Sequence, residues 1–281
     1  MSAAPETKTP TNDDARPASL PILAGKRGLI MGVANERSIA WGIAKSLHEA
    51  GAELAFTYQG DAFMRRVEPL AQSVGADILL PCDVMDEASI DQTFDQLKER
   101  MGEIDFVIHA VAFSNKEELK GRYVDTTLDN FLMTMQISCY SFTATARRAA
   151  AMMRPGGSLI TLSYIGAERV MPNYNVMGVA KAALEASVRY LAADLGPDGL
   201  RVHGISAGPM KTLAGSAIAN ARHTYRTSEQ TSPLRRSVSL DEIGGTATYL
   251  LSDMSAGTTG QIHYVDAGFH AMGMIPPGAA E

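Results

Sequence analysis

The sequence predicts a doubly wound α/β fold, a parallel sheet of roughly seven strands with helices on both faces. Three observations carry that prediction. Short runs that are apolar throughout alternate with amphipathic stretches along most of the 281 residues. Those runs do not alternate apolar with polar, as strands do when one sheet face meets water, so both faces are covered. The length and the 46% apolar content suffice for a sizeable core in one large domain.

Taken in order, RGLIM is the first strand, and a helical stretch around SIAWGIAKSLHEAG follows it. AELAFTY is the second strand, a charged helical stretch comes next, and ADILLPC is the third strand. DFVIHA follows a helix ending near Gly102, GSLITLSY follows a long helical segment from about Leu128 to Met153, and RVHGISAG follows a helix from about Tyr174 to Leu195. A last helix near Leu240 to Leu251 leads into the seventh strand, GQIHYVD. In such sheets ligands bind beyond the carboxyl ends of the strands, so chemistry is expected in the loops after Met31, Tyr58, Cys82, Ala110, Tyr164 and Ser206.

The ends read differently. Residues 1–20 are polar and proline-bearing, with neither the apolar core of a signal peptide nor a membrane span, and are expected to be a disordered tail. Residues 21–270 form the expected single domain and 271–281 a C-terminal tail. The balance of 25 basic and 31 acidic residues, net −6, argues against nucleic acid or an anionic membrane as a partner. Two cysteines, Cys82 and Cys139, suggest neither a disulfide framework nor a metal site, and fit a reducing cytoplasm. The six histidines lack metal-ligand spacing, so no metal is expected.

The first candidate for chemistry is GVANERSIAWG, Gly32 to Gly42, where a dinucleotide-binding fold turns from strand into helix. The G-x-G-x-x-G fingerprint is absent. Gly32 can make the tight turn, Ser38 can cap the helix while facing a phosphate, and Gly42 can let helix and sheet approach closely. An ordinary βα turn is the competing reading. Gln59 stands at the end of the second strand, where an acid ordinarily takes the adenosine-ribose hydroxyls of NAD. Glutamine can bond a ribose but brings no positive charge for a 2′-phosphate. Asp83, at the end of the third strand, is either an acceptor for the adenine amino group or a helix-initiating acid.

The stretch SYIGAERVMPNYNVMGVAK places Tyr164 and Tyr174 ahead of Lys181. Residues seven apart on an α-helix nearly coincide in direction, so Tyr174 and Lys181 are expected to share a face, with Tyr164 on the wall of the same cavity. Here the chain resembles the short-chain dehydrogenase/reductase superfamily, marked by Tyr-x-x-x-Lys with a serine thirteen residues before the tyrosine. Held to Lys181, that pattern calls for tyrosine at 177 and serine at 164, yet the sequence has Met177 and Tyr164.

A Tyr-x6-Lys spacing marks a divergent branch of that superfamily, the bacterial NADH-dependent enoyl-acyl-carrier-protein reductases. GAELAFTYQ, CDV, RVHGISAGPMKTLA and VDAGF are further segments similar to that branch, and the likeness runs from about residue 20 to 270. One departure is HAVAF, with Ala110 where a serine is expected at a position that mostly offers backbone atoms. The resemblance implies a Rossmann-type fold, NADH as cofactor, acyl carrier protein as partner and a homotetramer in the cytoplasm.

It also implies roles for individual residues. Tyr174 donates to a developing enolate oxygen, Lys181 anchors the nicotinamide-ribose hydroxyls, and Tyr164 supports the pocket wall. Gly32, Ser38, Ile39, Gln59, Asp83, Val84, Val111, Met210 and Thr212 take the cofactor. Ser114, Met177 and Ile218 join the two tyrosines at the substrate, under a lid at about 209–230. Two rival readings are a carbonyl-reducing short-chain dehydrogenase, disfavoured by Met177 and Tyr164, and a non-catalytic NAD-binding sensor, disfavoured by Tyr174 and Lys181.

Overall fold

The structure is a computed structural model that describes residues 20–213, 215 and 221–274. Seven strands, β1 Arg27–Met31, β2 Glu53–Tyr58, β3 Ile78–Pro81, β4 Ile104–His109, β5 Met153–Ser163, β6 Arg201–Ala207 and β7 Gln261–Val265, form one sheet in the order β3-β2-β1-β4-β5-β6-β7. Every neighbouring pair is parallel. The expected doubly wound sheet is therefore present, with all seven strands falling on the apolar runs.

The pleat sorts side chains into two layers. Ile30, Phe56, Phe106 and Ile108 enter a cluster with helices α1 Ile39–Glu49, α2 Gly60–Ser73 and, further along the chain, Leu240–Leu251. Leu29, Met31, Val107 and Leu159 enter the opposite cluster, with α3 Glu87–Met101, Ser141–Ala150 and Asn175–Leu195. Burial on both faces is why the strands read as unbroken apolar runs.

The segment from Leu128 does not run on as one helix to Met153. It comprises α4 Leu128–Met135, a π-helical turn Gln136–Tyr140 and α5 Ser141–Ala150. Hydroxyls hold the widened turn: Ser141 Oγ donates to the Ile137 carbonyl at 2.6 Å, and Ser138 bonds both backbone groups of Phe113 at 3.0 Å. Strand β5 starts at Met153 rather than Gly157, its register shifting where Pro155 lacks an N–H and Gly156 takes φ +89°. Beyond it come α6 Asn175–Leu195, α7 Ala221–Thr231 and α8 Leu240–Leu251, the last opened by a capping box of Ser239 and Glu242.

Gly42 serves a different contact from the one expected. A methyl group there would lie 2.5 Å from Leu240 Cβ, so the close approach is of α1 to α8 and not to the sheet. Gly244 completes the contact, since a methyl at that position would meet Ser46 Oγ at 2.0 Å, whereas one on Gly245 would have no neighbour within 4 Å. Two adjacent glycines should therefore respond oppositely to the same change. Gly244→Ala should destabilise the protein by about 1–3 kcal/mol through overpacking, and Gly245→Ala should stabilise it by about 0.5–1 kcal/mol through helix propensity. Thermal melts of the two variants that moved in the same direction would contradict this account of the α1–α8 contact.

Candidate active site

Chain order reverses between β1 and β4, and their carboxyl ends part around Gly32 and Ala110. The Ala110 amide donates to the Met31 carbonyl at 3.1 Å. Gly32 sits at φ +94°, and a methyl group on it would fall 2.2 Å from the Ala110 carbonyl oxygen. Only glycine fits there. The substitution of alanine for the expected serine at 110 thus falls at a position whose backbone packs against Gly32.

Ser38 occupies the N-cap position of α1, but its side chain does not cap the helix. Its Oγ turns back and accepts from the amides of Ala34 and Asn35 at 2.9 and 3.1 Å. The loop is thereby folded onto itself, and the positive end of the α1 dipole, starting at Ile39, has no acidic residue in its first turn. This glycine-walled cradle at a helix start fits a pyrophosphate. Gln59 is the exposed N-cap residue of α2 and makes no side-chain cap bond. Asp83 does not start α3; Asp86 does, accepting from the Ala88 amide, while Asp83 Oδ1 accepts from the Met85 amide at 2.9 Å. Val84 and Val111 are half-buried against the cluster that packs α3 on the sheet, beside the ends of β3 and β4.

Tyr164 follows β5, and Tyr174 immediately precedes α6. Their rings meet edge to face, centroids 5.0 Å apart at 71°. Two glycines permit this: a methyl on Gly166 would lie 2.4 Å from the Tyr174 ring, and one on Gly178 would lie 2.8 Å from the Gly166 carbonyl oxygen. Tyr174 is also held between two residues of positive φ, Asn173 at 62° and Asn175 at 38°. Asparagine tolerates that region better than most residues, and Asn175 Nδ2 further donates to the Leu119 carbonyl at 3.3 Å.

Lys181 is buried, 6% exposed, with Nζ donating to the Leu162 carbonyl at 2.7 Å. One turn along α6, the buried Glu185 accepts from Ser163 Oγ at 2.5 Å. Burial lowers the Lys181 pKa to about 8, opposed by the fields of Cys139 and Glu185. Burial also raises the Tyr164 pKa to about 12 and pushes that of Tyr174 higher still, so both phenols keep their protons at neutral pH. His109 is locked in the core between Thr161 and Ser141, its pKa depressed by burial to about 3, which leaves it structural.

Met177 packs with both tyrosines, Leu119 and Val176 in a separate apolar cluster. Met210 and Thr212 lie on the loop after β6, half-buried, with the Thr212 amide donating to the Met210 carbonyl at 2.8 Å. Ser114 is turned elsewhere: its buried hydroxyl is engaged by Asn130 and by Thr134 of α4, the latter at 2.9 Å, so only its backbone is available to a substrate. Ile218 lies outside the described residues. Asn173, Asn175, Gly166 and the Ser163–Glu185 pair are site positions beyond those expected from the sequence, and the N-Y-N triplet is the signal for the first two.

The burial of Lys181 has a testable energetic sign. An unfolded lysine titrates near 10.5 and the folded one near 8, so below pH 8 the fold carries the full cost of a buried ammonium, about 3 kcal/mol. Between those values the folded state has released a proton that the unfolded state retains, and stability rises with pH. Lys181→Met should therefore raise the melting temperature of the cofactor-free protein at pH 7, with a gain that fades toward pH 10.5. A melting temperature lowered at pH 7 would contradict this.

A family model described as Enoyl-(Acyl carrier protein) reductase matches residues 32–270. Enoyl-[acyl-carrier-protein] reductase [NADH] 1 of Rhizobium meliloti (strain 1021) is 62% identical over 253 residues, covering 90% of this chain and 93% of that one. Among solved structures, FabI from Candidatus Liberibacter asiaticus aligns with TM-score 0.90 and 54% identity, over 92% of this chain and 100% of that one. An Anaplasma phagocytophilum enoyl-(acyl-carrier-protein) reductase in complex with NAD aligns with TM-score 0.88 and 55% identity, over 92% of this chain and 98% of that one. With the family model spanning most of the chain and a relative 62% identical over 90% of it, this chain belongs to the enoyl-(acyl carrier protein) reductase family.

Proposed function

We propose that the chain reduces the carbon–carbon double bond of a trans-2-enoyl thioester carried by acyl carrier protein, with NADH as cofactor. The observation that carries the mechanism is a buried, protonated phenol, Tyr174, at the start of the helix that bears the buried Lys181. The chemistry that NADH supplies when bound is a hydride for the β carbon. Negative charge then develops on the thioester oxygen, two carbons from the site of addition. Tyr174 meets that oxygen with a hydrogen bond, worth more in a water-poor pocket than in bulk. Lys181, still mostly protonated at pH 7, holds the nicotinamide-ribose hydroxyls and adds a favourable field. Tyr164 braces the Tyr174 ring.

Around them, Gly32, Ser38 and Ile39 would take the pyrophosphate, and Gln59 the adenosine ribose. Asp83 and Val84 would take the adenine, and Val111, Met210 and Thr212 the rest of the cofactor toward nicotinamide. Met177 joins the apolar wall for the acyl chain. The loop after β6 with α7 forms the lid of a single domain. Leu128, Leu132 and Tyr140 near α4, with Val179 and Tyr190 on the neighbouring α6, are exposed apolar side chains that support burial against further copies in a homotetramer. Among the described residues no helix is long and apolar enough to cross a membrane, and the two free cysteines accord with a cytoplasmic enzyme.

The deciding assay follows NADH absorbance with a trans-2-enoyl and a 3-ketoacyl coenzyme A thioester. Turnover of the first alone supports the proposal, and turnover of the second alone would replace it with a carbonyl reductase. Tyr174→Phe should lower kcat by about 10²-fold or more, and Tyr164→Phe should cost less; equal mild effects would remove Tyr174 from its role.

Charge on the lid supports docking of an acidic carrier. Arg222 and Arg226, four residues apart on α7, are exposed and form no ion pair among the described residues, whereas Arg236 is held by Glu242 at 2.6 Å. Replacing both Arg222 and Arg226 by Glu should raise KM for the carrier-bound substrate several-fold at low salt and leave the coenzyme A thioester nearly unchanged. An equal rise for both substrates would assign the arginines to the lid itself.

A further inference from the structure

Tyr225 lies on the buried side of α7, 8% exposed, while its neighbours Arg222 and Arg226 face solvent. Its hydroxyl is fully buried and has no hydrogen-bond partner among the described residues. A buried phenol left without a partner is unusual, because tyrosines buried to that depth normally find one. The hydroxyl is held at the loop that follows β6. A methyl group on Gly215 would come within 2.8 Å of Tyr225 Oη, 2.5 Å of the Met210 carbonyl oxygen and 3.1 Å of Thr212 Oγ1. Thr212 Oγ1 already accepts from the Gly215 amide at 2.9 Å. Glycine at 215 thus leaves room for the phenol to reach across the loop, and its hydroxyl gains no bond there.

The same phenol lies within electrostatic reach of Tyr164, whose ring packs on Tyr174. Burial raises the Tyr225 pKa, so the group is neutral and can donate a proton to a hydrogen bond at any physiological pH. A neutral phenol among Met210, Tyr164 and Gly215 suits an uncharged carbonyl acceptor. A phosphate would be met by a basic side chain or a helix start, as at Gly32 and Ser38.

We propose that Tyr225 of α7 is a substrate-binding residue, whose hydroxyl donates a hydrogen bond to a carbonyl oxygen of the bound acyl thioester and its amide-bearing arm. This rests on the enoyl reductase reading above. It differs from the role of Tyr174, because the bond forms equally with substrate and with the charge-developing state. It therefore contributes to KM more than to kcat.

The test is Tyr225→Phe, which keeps the ring and removes the hydroxyl. With a trans-2-enoyl coenzyme A thioester as probe, KM should rise by about fivefold to tenfold, as for loss of one neutral hydrogen bond. The kcat should stay within about twofold, and the NADH dissociation constant, read by fluorescence, should not move. An unchanged KM with a raised melting temperature would show that the hydroxyl is only a buried orphan, and overturn the proposal. A change confined to NADH affinity would also overturn it, by assigning the hydroxyl to the cofactor. Wild-type turnover of the enoyl thioester is measured alongside. Failure of that control would strike the enoyl reductase reading, whereas intact turnover with a silent Tyr225→Phe would strike the Tyr225 assignment alone.

Discussion

Two hydrogen bonds hold α6 against the carboxyl end of β5, and the candidate site depends on them. Lys181 Nζ donates to the Leu162 carbonyl at 2.7 Å, and Ser163 Oγ donates to Glu185 at 2.5 Å. Lys181 and Glu185 are four apart on one face of the helix, Leu162 and Ser163 are adjacent on the strand, and Tyr164 comes next. The clasp fixes where α6 begins relative to where β5 ends. That fixes in turn the relation of Tyr174 to Tyr164. A lysine at this depth is costly to bury, so the contact is a poor source of stability and a good source of geometry.

Local strain adds to the same end. Asn173 and Asn175 both hold positive φ, and Tyr174 is carried between them with its ring against Gly166. Positive φ at a non-glycine residue is disfavoured and persists where neighbouring contacts over-determine it. Here the contacts are the Asn175 bonds to the Leu119 region and the packing of Gly178 on Gly166. The phenol is thus preorganised before any ligand arrives, and preorganisation is what makes a hydrogen-bond donor effective against developing charge.

The two halves of the site are built on different principles. The half proposed as the dinucleotide cradle is mostly backbone: Gly32 against the Ala110 carbonyl, Ser38 folding its own loop, and an uncapped helix start. The half proposed for the substrate is built of rings and methionine, Tyr164, Tyr174 and Met177, with the buried Tyr225 hydroxyl proposed to join them.

The number of strands and their places along the chain were legible in the sequence, because a parallel sheet buried on both faces leaves apolar runs that no other arrangement explains as simply. The Tyr174–Lys181 spacing was legible as a match to the Tyr-x6-Lys pattern, whereas helical periodicity does not relate the two residues, since Tyr174 precedes α6 and Asn175 takes φ 38°. The tertiary structure alone decided which acid starts α3, Asp86 in place of Asp83, since both satisfy the same local preference and only the chain's path chooses. It also turned Ser114 toward α4, placed Gly42 against α8, and broke the helix after Leu128 with a π turn. Each of these depends on a partner far away in the chain. A sequence states which residues can make a contact, and the packed fold selects the one that is made.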